Sequence, residues 1–325
     1  MQKRTVAIIA GGNSSEREVS FKSANGIKSF INSDKYDTFI VSIVGKKWEV
    51  KLSQEQSVVI DKNDFSFTLD NKKRVFDFAF ITIHGTPGEN GILQGYFELL
   101  EIPYSTCNVL TSSLTFNKFF CNNYLRGFGV KVPDSILVKD KNQIKAKDIV
   151  EKVGLPCFIK PNAGGSSFGT TKVKTEEMIL SAIDLAHKEG DEVIIEKLVK
   201  GKEFTCGIYK TKEKTVIFPI TEIVTKNEFF DYGAKYNNES EEITPARISY
   251  ELTNRIKRLT EAIYDILDCK GIVRADYIIS EKEEITLLEV NTTPGMTSTS
   301  FIPQQVKASG LEIEEVMSDI IEDHF

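Results

Sequence analysis

What this chain has little of narrows its function first. Its five cysteines, Cys107, Cys121, Cys157, Cys206 and Cys269, form an odd, scattered set among 325 residues, with no CxxC pair. That excludes a disulfide framework and a zinc site, and fits a reducing compartment where each thiol is a small buried apolar group. No stretch approaches the roughly 18 apolar residues that a membrane helix requires. The apolar run at residues 6–10 stops at Gly11-Gly12, too soon for the apolar region of a secretory signal. No block of Lys and Arg stands out and the net charge is −6, so nothing prepares a surface for nucleic acid. No internal repeat or low-complexity tract occurs. Hydrophobic residues make up 41% and charged residues 27%, the balance of an ordinary globular chain. The expectation is a cytoplasmic protein with neither nucleic-acid nor membrane partners.

The length allows two or three domains. Residues 6–10 read as a buried strand, followed by Gly-Gly-Asn-Ser-Ser and a helix over about 16–31. Ser15 and Glu18 are spaced as a capping box at its start. Strand, Gly-rich turn and helix open a parallel α/β unit. Apolar strands at 38–44 and 78–83 and a helix at 93–100 continue it. A second unit begins near 110, with a helical region at 111–129 and strands at 137–138, 157–160, 171–173 and 192–198. A helix is expected at 175–189. The last third carries antiparallel strands at 204–209 and 215–220, a helix at 250–267 and a hairpin. The fold class is therefore α/β, in part α+β. Its three domains span 1–108, 109–203 and 204–325.

The hairpin carries the strongest chemistry. Arg274-Ala-Asp276 and Glu289-Val-Asn291 each place two polar side chains on one face of an apolar strand. One register sets Asp276 opposite Glu289 and Arg274 opposite Asn291. Like charges directly opposed on a sheet repel, and desolvating two carboxylates costs more still. Mg²⁺ resolves the conflict, because it takes carboxylate and amide oxygens and shares its shell with phosphates. The structural alternative is a hairpin in which Arg274 neutralises the acids.

Other segments add weaker signals. Lys160 ends a strand and runs into Pro-Asn-Ala-Gly-Gly-Ser166-Ser167-Phe-Gly, a loop able to converge backbone N–H groups, hydroxyls and a charge on phosphate. It is not a Walker loop, since no Gly-Lys-Ser/Thr closes it. The strand ending at Glu196, Lys197 and Val199 offers backbone groups to an adenine edge, and Glu203 a carboxylate to ribose hydroxyls. Read alone, these are a turn and a charged strand end. Glu16 opens the first helix, where it either complements the helix dipole or holds a substrate ammonium at the mouth of the sheet. A polar loop of roughly twenty residues precedes Pro245 and contains Lys235 and Tyr236; loops of that length often serve as lids.

Together, Lys118, Lys160, the Gly/Ser loop, the 196–203 segment and the Arg-x-Asp…Glu-x-Asn hairpin resemble the ATP-grasp fold. Gly11-Gly-Asn-Ser-Ser-Glu16-Arg-Glu-Val-Ser20, His84-Gly85, Ala234-Lys-Tyr236 and Asn291-Thr-Thr-Pro-Gly-Met-Thr-Ser298 resemble the D-alanine–D-alanine ligase family. The resemblance runs essentially end to end. It implies two domains sandwiching ATP, and an acyl phosphate on a first D-alanine attacked by the amine of a second. It also implies peptidoglycan precursor synthesis and a homodimer. By similarity Asp276, Glu289 and Asn291 hold two Mg²⁺ ions, for which Mn²⁺ could substitute, and Arg274 faces the transferred phosphoryl group. Lys118, Lys160, Ser167, Glu196, Lys197, Val199, Glu203 and Lys235 contact ATP. Glu16, with His84 nearby, receives the first ammonium. Ser166 and Tyr236 join Glu16 in fixing a closed loop, Gly295 donates its N–H to the oxyanion, and Ser300 and Phe301 line the second substrate's site. Phe301 departs from the commoner Leu, and Asn-Ala-Gly-Gly-Ser-Ser from more highly charged loops. Tyr236, where depsipeptide-forming relatives often carry Phe, favours an amine nucleophile. The rivals are another carboxylate–amine ligase and a non-catalytic nucleotide-binding regulator; the latter would need neither Arg274 nor Asn291.

Overall fold

The computed structural model describes residues 3–53, 55–165, 168–225 and 240–325. Three sheets organise the chain. The first takes the order β4-β3-β2-β1-β7, built from β1 (Arg4–Gly11), β2 (Tyr36–Val44), β3 (Lys47–Lys51), β4 (Ser57–Val59) and β7 (Phe78–Ile81). β1 runs parallel to both β2 and β7. A small hairpin, β5 (Phe67–Leu69) and β6 (Lys72–Arg74), lies apart from that sheet. Helix α1 (Arg17–Phe30) follows β1, and α2 (Ile92–Leu99) follows β7. Six of the eight residues of β1 are buried, as a strand covered on both faces requires.

The expected capping box does not form. Glu16 is the N-cap of α1 and makes no side-chain cap bond, while the Ser15 hydroxyl turns outward to Glu189 Oε2 at 3.4 Å. The helical region expected at 111–129 is two helices, α3 (Val109–Phe116) and α4 (Lys118–Arg126). The break is Asn117, an extended residue whose side chain accepts from the Phe120 N–H and so restarts the helix.

The second sheet takes the order β10-β9-β11-β8, from β8 (Ser135–Val138), β9 (Cys157–Pro161), β10 (Thr171–Val173) and β11 (Val193–Lys197). Helices α5 (Ala146–Val153) and α6 (Ile179–Ala186) cover it. The third takes the order β15-β14-β12-β16-β17, from β12 (Lys202–Lys210), β14 (Thr221–Thr225), β15 (Ser240–Ile243), β16 (Val273–Ile279) and β17 (Ile285–Asn291); β13 (Thr215–Ile217) pairs beside β12. Helix α7 (Tyr250–Ile266) backs this sheet, and α8 (Phe301–Ser309) and α9 (Ile313–Glu322) close the chain.

One hydrophobic core spans both ends of the sequence. Val6, Ile8, Phe78 and Phe80 of the first sheet pack with Tyr209 and Phe218 and with Ile302, Val306, Met317 and Ile320 of α8 and α9. Likewise Cys121 and Leu125 of α4 belong to the core of the third sheet. All five cysteines are buried thiols.

Candidate active site

The site begins with an irregularity in the β16–β17 hairpin. From the turn upward the ladder pairs Ile279 with Ile285 and Tyr277 with Leu287, then shifts at a β-bulge between Asp276 and Tyr277. Beyond it Asp276 faces Glu289 and Arg274 faces Asn291, the register expected from the sequence. The extra residue is Leu288. In an unbulged ladder Leu288 would face Asp276 and Glu289 would fall on the core side opposite Ala275, where Val290 now packs with Leu287. The bulge re-aims one carboxylate across the strand.

Opposed carboxylates need compensation, and cations supply it. The Arg274 guanidinium donates to both oxygens of Asp276, at 2.9 and 2.8 Å, and Asn291 Nδ2 donates to Asp276 Oδ2 at 2.9 Å. Lys118 Nζ lies 3.4 Å from Glu289 Oε2 and donates to the Gly164 carbonyl at 2.5 Å. Lys160 Nζ lies 2.7 Å from Glu196 Oε2. Burial works against the charge on Arg274 and Lys160, but their carboxylate partners outweigh it and both pKa values are raised. Arg274, Lys118 and Lys160 therefore each rest on an acid of the same site.

Elements hold these groups in place. The start of α4 is pinned to the segment after β9: Lys118 N donates to the Asn162 carbonyl at 3.1 Å and Phe119 N to Asn162 Oδ1 at 2.9 Å. Lys118 and Lys160 thereby border one space. Phe301 begins α8 and lies under Arg274, whose guanidinium carbon is 5.3 Å from the ring centroid. Ser300 Oγ accepts from Thr297 N at 3.0 Å and comes within 2.8 Å of Thr297 Oγ1. A Cβ built on Gly295 would stand 3.0 Å from Ser300 Oγ, so that segment is tightly wound.

The first sheet contributes the other wall. Glu16 is buried, and a Cβ on Gly165 would stand 2.9 Å from both of its carboxylate oxygens. Gly165 is needed there because its backbone approaches a carboxylate. His84 Nε2 is 3.3 Å from Ser23 Oγ, which also accepts from Met296 N at 3.3 Å. Burial lowers the His84 pKa, Glu16 pulls it back and Arg274 pushes it further down, which keeps the imidazole neutral.

Glu16, His84, Lys118, Lys160, Glu196, Arg274, Asp276, Glu289, Asn291, Gly295, Ser300 and Phe301, with Lys197, Val199 and Glu203, line one cavity of about 1030 Å³ between the three sheets. Ser166, Ser167, Lys235 and Tyr236 lie outside the described residues. Four carboxylates in the cavity wall went unread in the sequence: Glu89, Glu189, Glu222 and Glu242. Glu89 accepts from Gly85 N at 2.6 Å, and burial reinforced by Glu16 pushes its carboxyl up to about 8. Its place in the His84–Gly91 loop was the available signal. Glu222 is buried and bound by Arg247 Nε at 2.9 Å and Lys202 Nζ at 3.3 Å. Neither it nor Glu242 sits in a motif.

The donor set fits the groups that a nucleotide-dependent ligase handles. Two opposed carboxylates with a carboxamide suit a hard divalent cation. Glu196 Oε1 is buried with no hydrogen-bond partner among the described residues, an acceptor suited to an exocyclic amino group.

Comparison with known proteins agrees with this geometry. The family model described as "D-ala D-ala ligase N-terminus" matches residues 5–107, and that described as "D-ala D-ala ligase C-terminus" matches residues 124–322. This chain belongs to the D-alanine–D-alanine ligase family. A D-alanine–D-alanine ligase of Phocaeicola vulgatus is 61% identical over 323 residues, 99% of this chain and 100% of the relative. Among solved structures, the VanG D-Ala:D-Ser ligase of Enterococcus faecalis superposes with a TM-score of 0.88 at 32% identity, covering 100% of both chains. A D-alanine–D-alanine ligase of Bacillus anthracis complexed with ATP gives 0.79 at 28% identity, covering 99% of this chain and 97% of that one. Family members of this kind are ATP-dependent ligases with the ATP-grasp fold.

Proposed function

We propose that this chain joins two D-alanine molecules into D-alanyl-D-alanine for peptidoglycan precursors, at the expense of ATP. The observation that carries the reading is the bulged hairpin, which sets Asp276 against Glu289 beside Arg274 and opens onto the same cavity as Glu16. The first D-alanine places its ammonium at Glu16, near neutral His84. Its carboxylate oxygen takes the γ-phosphoryl group of ATP, and ADP leaves. The amine of the second D-alanine then attacks the acyl carbon. The tetrahedral intermediate collapses with loss of phosphate, and the nitrogen gives up its proton to form the amide.

Negative charge builds on oxygen in both steps, so fixed cations and N–H groups supply most of the stabilisation. Arg274 serves the transferred phosphoryl group and the oxyanion, with the Gly295 N–H as a second donor. Lys118 and Lys160 leave Glu289 and Glu196 for the α- and β-phosphates. Glu196, Lys197 and Val199 take the adenine edge, and Glu203 the ribose. Ser300 and Phe301 flank the second substrate. Asp276, Glu289 and Asn291 are the residues to hold Mg²⁺, or Mn²⁺ in its place. Two such ions, when bound, neutralise the phosphate oxygens and free the site cations from their acids. Ser166, Ser167, Lys235 and Tyr236 keep the roles inferred from the sequence. A cytoplasmic homodimer is the assembly this reading proposes, and light scattering at twice the chain mass tests it.

ADP release in Mg-ATP with and without D-alanine, with the product identified by mass, tests the function. Release that depends on D-alanine and yields the dipeptide is expected. Nucleotide binding without D-alanine-dependent release would favour a regulator.

A further inference from the structure

The second amino acid brings two charges into the cavity, and only its carboxylate is met by the residues placed so far. Glu242 is a cavity carboxylate that those roles leave unused, and it lies beside the second substrate's segment. On β15 it pairs with Ile223 of β14, and Ile223 in turn pairs with Glu203 of β12, so Glu203, Ile223 and Glu242 form one row on the cavity face. Ile223 packs against Phe301. Gln304, one turn into α8, donates from Nε2 to Glu242 Oε2 at 2.6 Å and to the Thr299 carbonyl at 2.8 Å. That amide ties Glu242 to the 299–301 segment that flanks the second substrate. Burial raises the Glu242 pKa, whereas Gln304 and the nearby Arg274 oppose the rise; the group is electrostatically coupled to the site.

We propose that Glu242 is a positioning residue for the second substrate: held by Gln304 against the Thr299–Phe301 segment, it receives the ammonium group of the incoming amino acid. Arg274 and Ser300 then meet the other end of that molecule. A hydroxy acid of the same size carries nothing for Glu242 to hold, so this carboxylate discriminates between amino and hydroxy acids at the binding step. Ser300 and Phe301, common to either kind of acceptor, cannot do so. The inference rests on the ligase reading above.

Glu242→Gln keeps the shape and the contact with Gln304 while removing the charge. Loss of a hydrogen bond to a charged group, worth about 1.5–3 kcal/mol, corresponds to roughly 10- to 150-fold. The expected result is an increase of that size in the KM of the second D-alanine. The KM of the first D-alanine and that of ATP should stay within about twofold. D-lactate, used as a competitor for the second site, should keep its inhibition constant, and Glu242→Asp should restore part of the lost affinity. Equal thermal midpoints of wild type and Glu242→Gln establish that the variant is folded. A second-site KM that does not move, or one that moves together with the D-lactate constant, overturns the inference alone. Wild-type protein that releases no ADP in response to D-alanine overturns the ligase reading and the inference with it.

Discussion

Arg274 performs two tasks that one substitution would separate. It neutralises Asp276 in the free protein and lies over the ring of Phe301. Arg274→Ala should lower kcat by roughly 100- to 1000-fold, the usual cost of one oxyanion-stabilising donor. Arg274→Lys should recover only part, because an ammonium cannot span both oxygens of Asp276. An Arg274→Ala enzyme turning over at the wild-type rate would sink the mechanism. Glu89 gives a prediction about stability. Its folded pKa, about 8, stands above the ordinary 4.5. The proton is therefore bound more tightly in the folded state. The stability this group contributes is complete below about 4.5 and is lost as pH rises through about 8. Glu89→Gln, neutral throughout, escapes that loss. Its urea midpoint should gain on wild type steadily between pH 5 and 8, and two curves that stay parallel would refute the assignment. Of these two residues, Arg274 was legible because its spacing from Asp276 is itself a pattern. Glu89 was not: its pKa depends on Glu16 and on burial, which the sequence does not display.

The hairpin makes the same distinction among elements. Alternation in Val273–Ile279 and the chemistry of two carboxylates were enough to place Asp276 opposite Glu289. They did not disclose the bulge, which depends on how the turn at 280–284 is closed by the Ser280 N–H on the Glu284 carbonyl. Deleting Leu288 should remove the bulge yet leave Glu289 on the cavity face, because alternation from the core-facing Leu287 puts the next residue opposite Asp276. Nucleotide-dependent turnover should therefore be retained, with circular dichroism still showing the mixed α/β fold; its loss in a folded variant would show that the bulge itself, and not alternation alone, positions Glu289. Helix α1 depends on a close approach of a different kind. A Cβ on Gly26 would lie 2.1 Å from the Met296 carbonyl oxygen, so Gly26→Ala must push α1 off the segment carrying Gly295. The helices at Phe301–Ser309 and Ile313–Glu322 were missed, since the last third was read as holding one helix, at 250–267, although Ile313, Val316, Met317, Ile320 and Ile321 recur at helical spacing. That this face packs on the first sheet is tertiary information. The short strands β3 to β6 escaped for the opposite reason, since three to five residues hold too little pattern.

On the scale of the whole molecule, the cavity lies where three sheets meet, and no single sheet holds a complete set of groups for it. The first supplies Glu16 and His84, the second Lys160 and Glu196, and the third Arg274, Asp276, Glu289 and Asn291. A ligand that bridges them must therefore stabilise the molecule as a unit, and its effect must depend on charge balance. Nucleotide at about a hundredfold over its Kd adds roughly 2.7 kcal/mol to the folded state, a few degrees in Tm for a chain of this size. That gain requires the divalent cation. Without it, triphosphate oxygens would confront Asp276 and Glu289, and Lys118 and Lys160 would have to choose between phosphate and their present partners. ATP with Mg²⁺ should raise Tm, and chelating the metal should remove most of the rise and all ADP release. An equal rise with and without Mg²⁺ would mean that the opposed carboxylates of the hairpin do not bind the metal and that Arg274 and Lys118 neutralise them instead.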